Sequence, residues 1–112
     1  MIIEVYNYES RNFTIIIGKN KNDNFEIIDD SIDTDLWFHV NNEPSCHVIL
    51  KNTSKIGDIP FHVIKRCAYL CKINSKAKTK KKCSVIYTQI KNVIKTEKVG
   101  QVAVCSFKTL SI

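Results

Sequence analysis

Two stretches near the start of the chain, IIEVYNY (2–8) and FTIIIGK (13–19), are dense in β-branched and aromatic residues, a composition that suits a pleated, half-buried surface. The polar ESRN between them fits a tight reversal, so the pattern predicts an antiparallel hairpin ahead of Gly18. A second pair of β-like runs follows. DLWFHV (35–40) and CHVILK (46–51) are joined by NNEPS, whose asparagines and Pro44 supply turn chemistry. Side chains alternate across a strand, which puts Trp37 and His39 on one side of the first run and Phe38 and Val40 on the other. In the second run His47 and Ile49 oppose Cys46, Val48 and Leu50. The expected pairing brings His47 to the face that carries Trp37 and His39.

Between these pairs, KNDNFEIIDDSI (21–32) offers Asn22 or Asp23 as a helix cap, and its length predicts one or two helical turns, or a loop, ending before Asp35. The strongest helical pattern is DIPFHVIKRCAYLCKINS (58–75), opened by Asp58 and Pro60. Val63, Ile64, Cys67, Ala68 and Cys71 form its apolar stripe, while His62, Lys65, Arg66, Tyr69 and Lys72 recur on the opposite side. CSVIYTQIKNVIKT (83–96) and GQVAVCSFKTLSI (100–112) supply the remaining strands, with Val99 and Gly100 leading into the last. The pattern therefore predicts one α+β domain over residues 1–112: a mixed, mostly antiparallel sheet of about six strands with one principal helix packed on it.

Composition changes this picture little until charge is considered. The chain has 112 residues, enough for one modest core. Its N-terminus lacks the basic flank and long apolar block of a signal peptide or a spanning helix, so a cytoplasmic protein with no membrane partner is expected. The five cysteines are odd in number and lack paired spacing, which reads as reduced thiols acting as small hydrophobes. Net charge is +6, yet residues 1–50 carry net −6 and residues 51–112 net +12. An excess confined to one half points to a polyanionic partner, and nucleic acid is the commonest one inside cells.

The cationic candidates are specific. KAKTKKK (76–82) places Lys76, Lys78, Lys80, Lys81 and Lys82 between helix and strand, where five like charges should keep the segment exposed and mobile. Lys65, Arg66 and Lys72 add the basic helix face, Lys91 and Lys95 lie downstream, and Lys19 follows Gly18. The aromatic and imidazole groups of Trp37, His39, His47, Tyr69 and Tyr87 either satisfy hydrogen bonds in a core or offer bases a stacking surface. Enzyme chemistry finds little support. Cys46 and His47 are strand neighbours that point to opposite faces, and no phosphate-binding glycine loop or spaced carboxylate pair is present. A His39/His47 zinc site would need a third ligand, with Asp35 or Cys83 the available groups, and no metal-ligand spacing supports it. Neither metal nor cofactor nor small-molecule substrate is expected.

Taken in order, FTIIIGKNKNDN (13–24), DLWFHVNNEPSCHVIL (35–50), IPFHVIKRCAYLCKINSKAK (59–78), SVIYTQIKNVIK (84–95) and VGQV (99–102) resemble the NFACT-R domain of ribosome quality-control factors. The resemblance covers nearly the whole chain. It implies an α+β module without catalytic activity that binds nucleic acid, namely RNA in a tRNA or ribosome setting, or DNA in a coiled-coil-bearing member. Matched by position, the family signature falls on Gly18, Lys19, Asn20, Asp35, Trp37, His39, Ser45 and His47. Those residues either form a binding surface or lock the central hairpin, Asp35 and Ser45 bonding backbone while Trp37 and the histidines are satisfied inside. Two departures stand out: the chain stops at Ile112, before the coiled coil of such a member, and Pro44-Ser45 stands where many members have glycine nearby. RNA binding through the lysine segment is the leading expectation. The alternatives are DNA binding, or a protein-interaction module docking on a ribosome-associated or other acidic partner.

Overall fold

The computed structural model describes residues 1–51 and 59–112. Six strands form one sheet in the order β1-β2-β4-β3-β5-β8, and every ladder in it is antiparallel. The expected first hairpin forms from β1 (Ile2–Tyr8) and β2 (Arg11–Ile17). Its two-residue turn holds Glu9 and Ser10 at φ 51° and 64°, the paired left-handed geometry that matches strand twist. β3 (Leu36–Val40) and β4 (Val48–Leu50) form the central pair, with Trp37 opposite Ile49 and Phe38 opposite Val48.

The segment after Gly18 is more helical than its composition suggests. A nine-residue helix, α1 (Lys21–Asp29), replaces the expected turn or two, and its cap is Asn20, not Asn22 or Asp23. The Asn20 carboxamide oxygen accepts from the Asp23 amide at 2.9 Å, supplying the partner that a first-turn N–H lacks within the helix. α2 (Phe61–Ile73) is the principal helix, preceded by Pro60 with no side-chain cap. Asp58, the other residue expected to open it, lies outside the described residues. The stripe of Val63, Cys67, Ala68, Leu70 and Cys71 is buried against Ile15, Phe38, Val48 and Val85 on one face of the sheet. Ile64 is only partly buried there.

The opposite face carries a second layer that the pattern did not predict. Residues 83–96 break into β5 (Ser84–Gln89), a tight 3-10 turn (Ile90–Asn92) and β6 (Val93–Lys95), and β6 pairs with β7 (Val102–Val104) as a separate hairpin. β8 (Lys108–Ser111) then returns to the sheet edge beside β5. The β6–β7 hairpin and α1 together cover Trp37, Ile49 and Ile86. The sheet is thus sandwiched, with one helix on one side and a helix plus a hairpin on the other. None of the described helices is long and apolar enough to cross a membrane.

Candidate nucleic-acid interface

The second face leaves an open groove of about 600 Å³ between α1, the β3–β4 turn and the tip of the β6–β7 hairpin. Its floor is the Trp37, His39 and His47 cluster. Extending the β3–β4 register by one residue sets His39 across from His47, while the β3–β5 register sets it beside Ile86. The His39 ring stacks on Trp37 with centres 5.6 Å apart and planes within 9°, and His47 stands edge-on to both. Trp37 is 1% exposed and His47 2%. His39 is half-buried and presents its ring to the groove.

Hydrogen bonds fix the protonation pattern of these rings. The Trp37 indole N–H donates to His47 Nδ1 at 3.1 Å; an indole nitrogen only donates, so the proton of neutral His47 is on Nε2. Burial pushes the His47 pKa down to about 3, with His39 as a secondary cause. His39 Nδ1 lies 2.6 Å from the Val40 carbonyl oxygen; a carbonyl only accepts, so this nitrogen carries the proton and Nε2 keeps its lone pair. Burial lowers the His39 pKa as well, partly offset by that bond.

The signature residues hold this floor in place. Asp35 is 1% exposed, accepts from the Ile32 amide at 3.0 Å and pairs with the Lys51 ammonium at 3.1 Å at the start of β3. At the other end Ser45 Oγ accepts from the Val40 amide and donates to the Cys46 carbonyl. The Gly18 amide donates to the His47 carbonyl at 2.9 Å. A Cβ on Gly18 would lie 2.3 Å from the Asn24 Oδ1, the atom that accepts from the His47 amide at 3.2 Å. Glycine at 18 is therefore required by the close approach of α1. Asn20 caps that helix, and the Lys19 amide donates to the Asp23 carboxylate, which the N-terminal amino group holds below the usual carboxylate range. These residues lock the central hairpin, and the locked hairpin forms the floor of the groove.

The cations distribute less simply than the sequence suggests. The lysine segment is not a loose loop, because Lys76–Thr79 form a 3-10 turn capped by Ser75 and anchored by buried Ala77. Lys76, Lys78, Lys81 and Lys82 project from it and are exposed. The turn abuts the groove: Ser45 bridges Ser75, and the Lys80 ammonium pairs with the carboxylate of Glu43, itself a groove-lining residue. Lys19, beside the floor, is exposed too. Other candidates are engaged or distant. Arg66 is held by both oxygens of Glu4, which raises its pKa, and lies over the rings of Tyr6 and Tyr69. Lys95 pairs with Asp29 at 2.5 Å, and Lys72 donates to the main-chain oxygen of Ile112. Lys65 is on the outer side of α2, across the sheet from the groove, and Lys91 follows β5 at the end of β3 remote from the lysine turn. Pattern reading missed Lys21, Lys98 and Asn24, all of which line the groove. The one signal for the hairpin tip is Gly100, at φ 84° and packed on Lys21.

Among the described residues no three His, Cys, Asp or Glu side chains gather where they could hold a metal ion. Four of the five thiols are buried and Cys105 is exposed. Desolvation pushes the Cys67 and Cys83 pKa values up, which keeps both protonated.

The model of the NFACT protein RNA binding domain matches residues 3–107. This chain belongs to that family. The NFACT-R fold built here is also similar to coiled-coil domain-containing protein 25 of Mus musculus, 40% identical over 98 residues that cover 83% of this chain and 47% of the relative. Protein JLP2 of Saccharomyces cerevisiae is 36% identical over 118 residues, covering 95% of this chain and 56% of that protein. Among solved structures, the C-terminal part of the fibronectin/fibrinogen-binding protein from Streptococcus suis superposes with a TM-score of 0.86 at 28% identity, over 100% of this chain and 45% of the other. The chain spans about half the length of the curated relatives it matches.

Proposed function

We propose that this NFACT-R domain binds RNA, either tRNA or ribosomal RNA in a translation or ribosome quality-control setting in the cytoplasm, and does so without catalysis. The observation that carries the reading is the fastening of the lysine turn to the groove through Glu43 and Ser45. A strand whose phosphates follow Lys76, Lys78, Lys81 and Lys82 is led to the mouth of a groove with a histidine face on its floor and Lys21 and Lys98 on its walls. Phosphate contacts of this kind supply affinity with little sequence preference. Binding of the purified chain to tRNA across a salt series tests it: the logarithm of affinity falls linearly with the logarithm of salt, at about 0.7 to 0.9 per phosphate contacted. Replacing Lys78, Lys81 and Lys82 with Gln makes the slope shallower. Salt-independent binding, or none, refutes the reading.

One observation favours a protein-interaction role instead. Ile3 and Val5 are 62% and 63% exposed on edge strand β1, and an apolar sheet edge of this kind is a surface on which partner chains pair. Retention of a protein partner after substitution of both residues would refute that second reading.

A further inference from the structure

Among the described residues neither His39 Nε2 nor His47 Nε2 has a protein partner, and neither is sealed from solvent, since no buried side-chain polar atom there lacks a hydrogen bond. Both rings line the groove. Their other nitrogens are committed, so the two free edges are chemically opposite: His47 offers an N–H and His39 offers a lone pair. Buried polar groups that face a cleft with unspent capacity of opposite sign select a ligand group able to accept from one and donate to the other. A phosphate oxygen answers only the donor, and a base methyl or ring face answers neither.

We propose that His39 and His47 together read a single hydroxyl, and that in this domain the hydroxyl is the ribose 2′-OH of a bound RNA strand. A hydroxyl accepts on its oxygen and donates its own proton. The ring centres are 5.2 Å apart and close to perpendicular, which sets both imidazoles beside the same ligand group in the groove. The lowered basicity of both rings keeps the donor–acceptor arrangement intact at neutral pH. Were His39 cationic, both edges would donate. The Val40 carbonyl holds the His39 Nδ1 proton and with it the ring's orientation, so the pattern is set before the ligand arrives. This inference rests on the RNA reading and deepens it, because the 2′-OH is the group by which a protein tells RNA from DNA.

The test uses one short single-stranded sequence in three forms: RNA, DNA and fully 2′-O-methylated RNA. The wild-type chain should bind RNA about tenfold more tightly than the other two, two neutral hydrogen bonds supplying that discrimination. His39→Phe keeps a ring on Trp37 and removes the acceptor; it should cut the RNA preference to about threefold, the share left to the His47 donor. His39→Gln, which retains an acceptor, should restore part of the preference, and fluorescence of the single tryptophan reports whether either variant keeps the stacked floor. Equal wild-type binding of RNA and 2′-O-methyl RNA, or a preference that His39→Phe leaves undiminished, overturns the hydroxyl assignment while leaving RNA binding intact. Absence of salt-dependent binding to all three forms overturns the RNA reading and the assignment with it.

Discussion

Acidification should destabilise this fold in a range where most carboxylates are still ionised, and His47 is the reason. Its folded pKa is pushed down to about 3 from an ordinary 6.5, so the unfolded chain takes up a proton that the native chain refuses. The sign follows directly. Stability is fully present above 6.5 and falls as pH drops, because the unfolded state binds more protons. Between pH 7 and about pH 5 the chain crosses roughly one and a half pH units below the unfolded value, and at about 1.4 kcal/mol per unit this removes about 2 kcal/mol. His39, also shifted down by burial, adds in the same direction. Asp and Glu, titrating near 3.9 and 4.3 in unfolded chains, contribute little above pH 5. Urea unfolding at the two pH values measures the loss. His47→Gln supplies the control, since Gln can accept from the Trp37 indole yet does not titrate; its loss should be smaller than wild type by about 2 kcal/mol. The reasoning is refuted if wild type loses less than about 0.5 kcal/mol over this range, or if His47→Gln loses as much as wild type.

Gly18→Ala should cost about 2 kcal/mol, because the new methyl overlaps the Asn24 oxygen that holds the His47 amide; thermal unfolding checks the loss, and a change in tryptophan emission should accompany it. Asp35→Ala should cost about 3 kcal/mol, since it strips the Lys51 ammonium and the Ile32 amide of a buried acceptor; a change below about 1 kcal/mol in chemical denaturation contradicts this.

How much of this was legible in the sequence depended on how local the signal was. The alternation in DLWFHV and CHVILK placed Trp37, His39 and His47 on one face, and the structure confirms that face in atomic contacts. The stripe of α2 was equally plain, since its period persists over more than three turns. α1 was underestimated because Asn and Asp have poor helix propensity; Asn20 capping and burial of Ile27 and Ile28 override it. The β6–β7 hairpin escaped because each strand has three residues, two of the six only partly buried and one fully buried, too little for a period to register. The site was half visible. The signature gave the groove floor, but Lys21 and Lys98 are single lysines outside any run, joined only by the packing of Gly100 on α1. Nor could spacing reveal that Glu4, Glu43 and Asp29 would claim Arg66, Lys80 and Lys95.

Those ion pairs share a property with a wider consequence. Glu4–Arg66, Asp29–Lys95, Asp35–Lys51 and Glu43–Lys80 each join an acidic residue from 1–50 to a basic one from 51–112. The lopsided charge of the chain is therefore also an instruction for self-assembly: the anionic leading half and the cationic trailing half attract one another before any contact forms, at ranges set by the Debye length. The four pairs leave Lys76, Lys78, Lys81 and Lys82 outside this internal pairing, so the surplus of the trailing half faces outward while the fold keeps its own bridges.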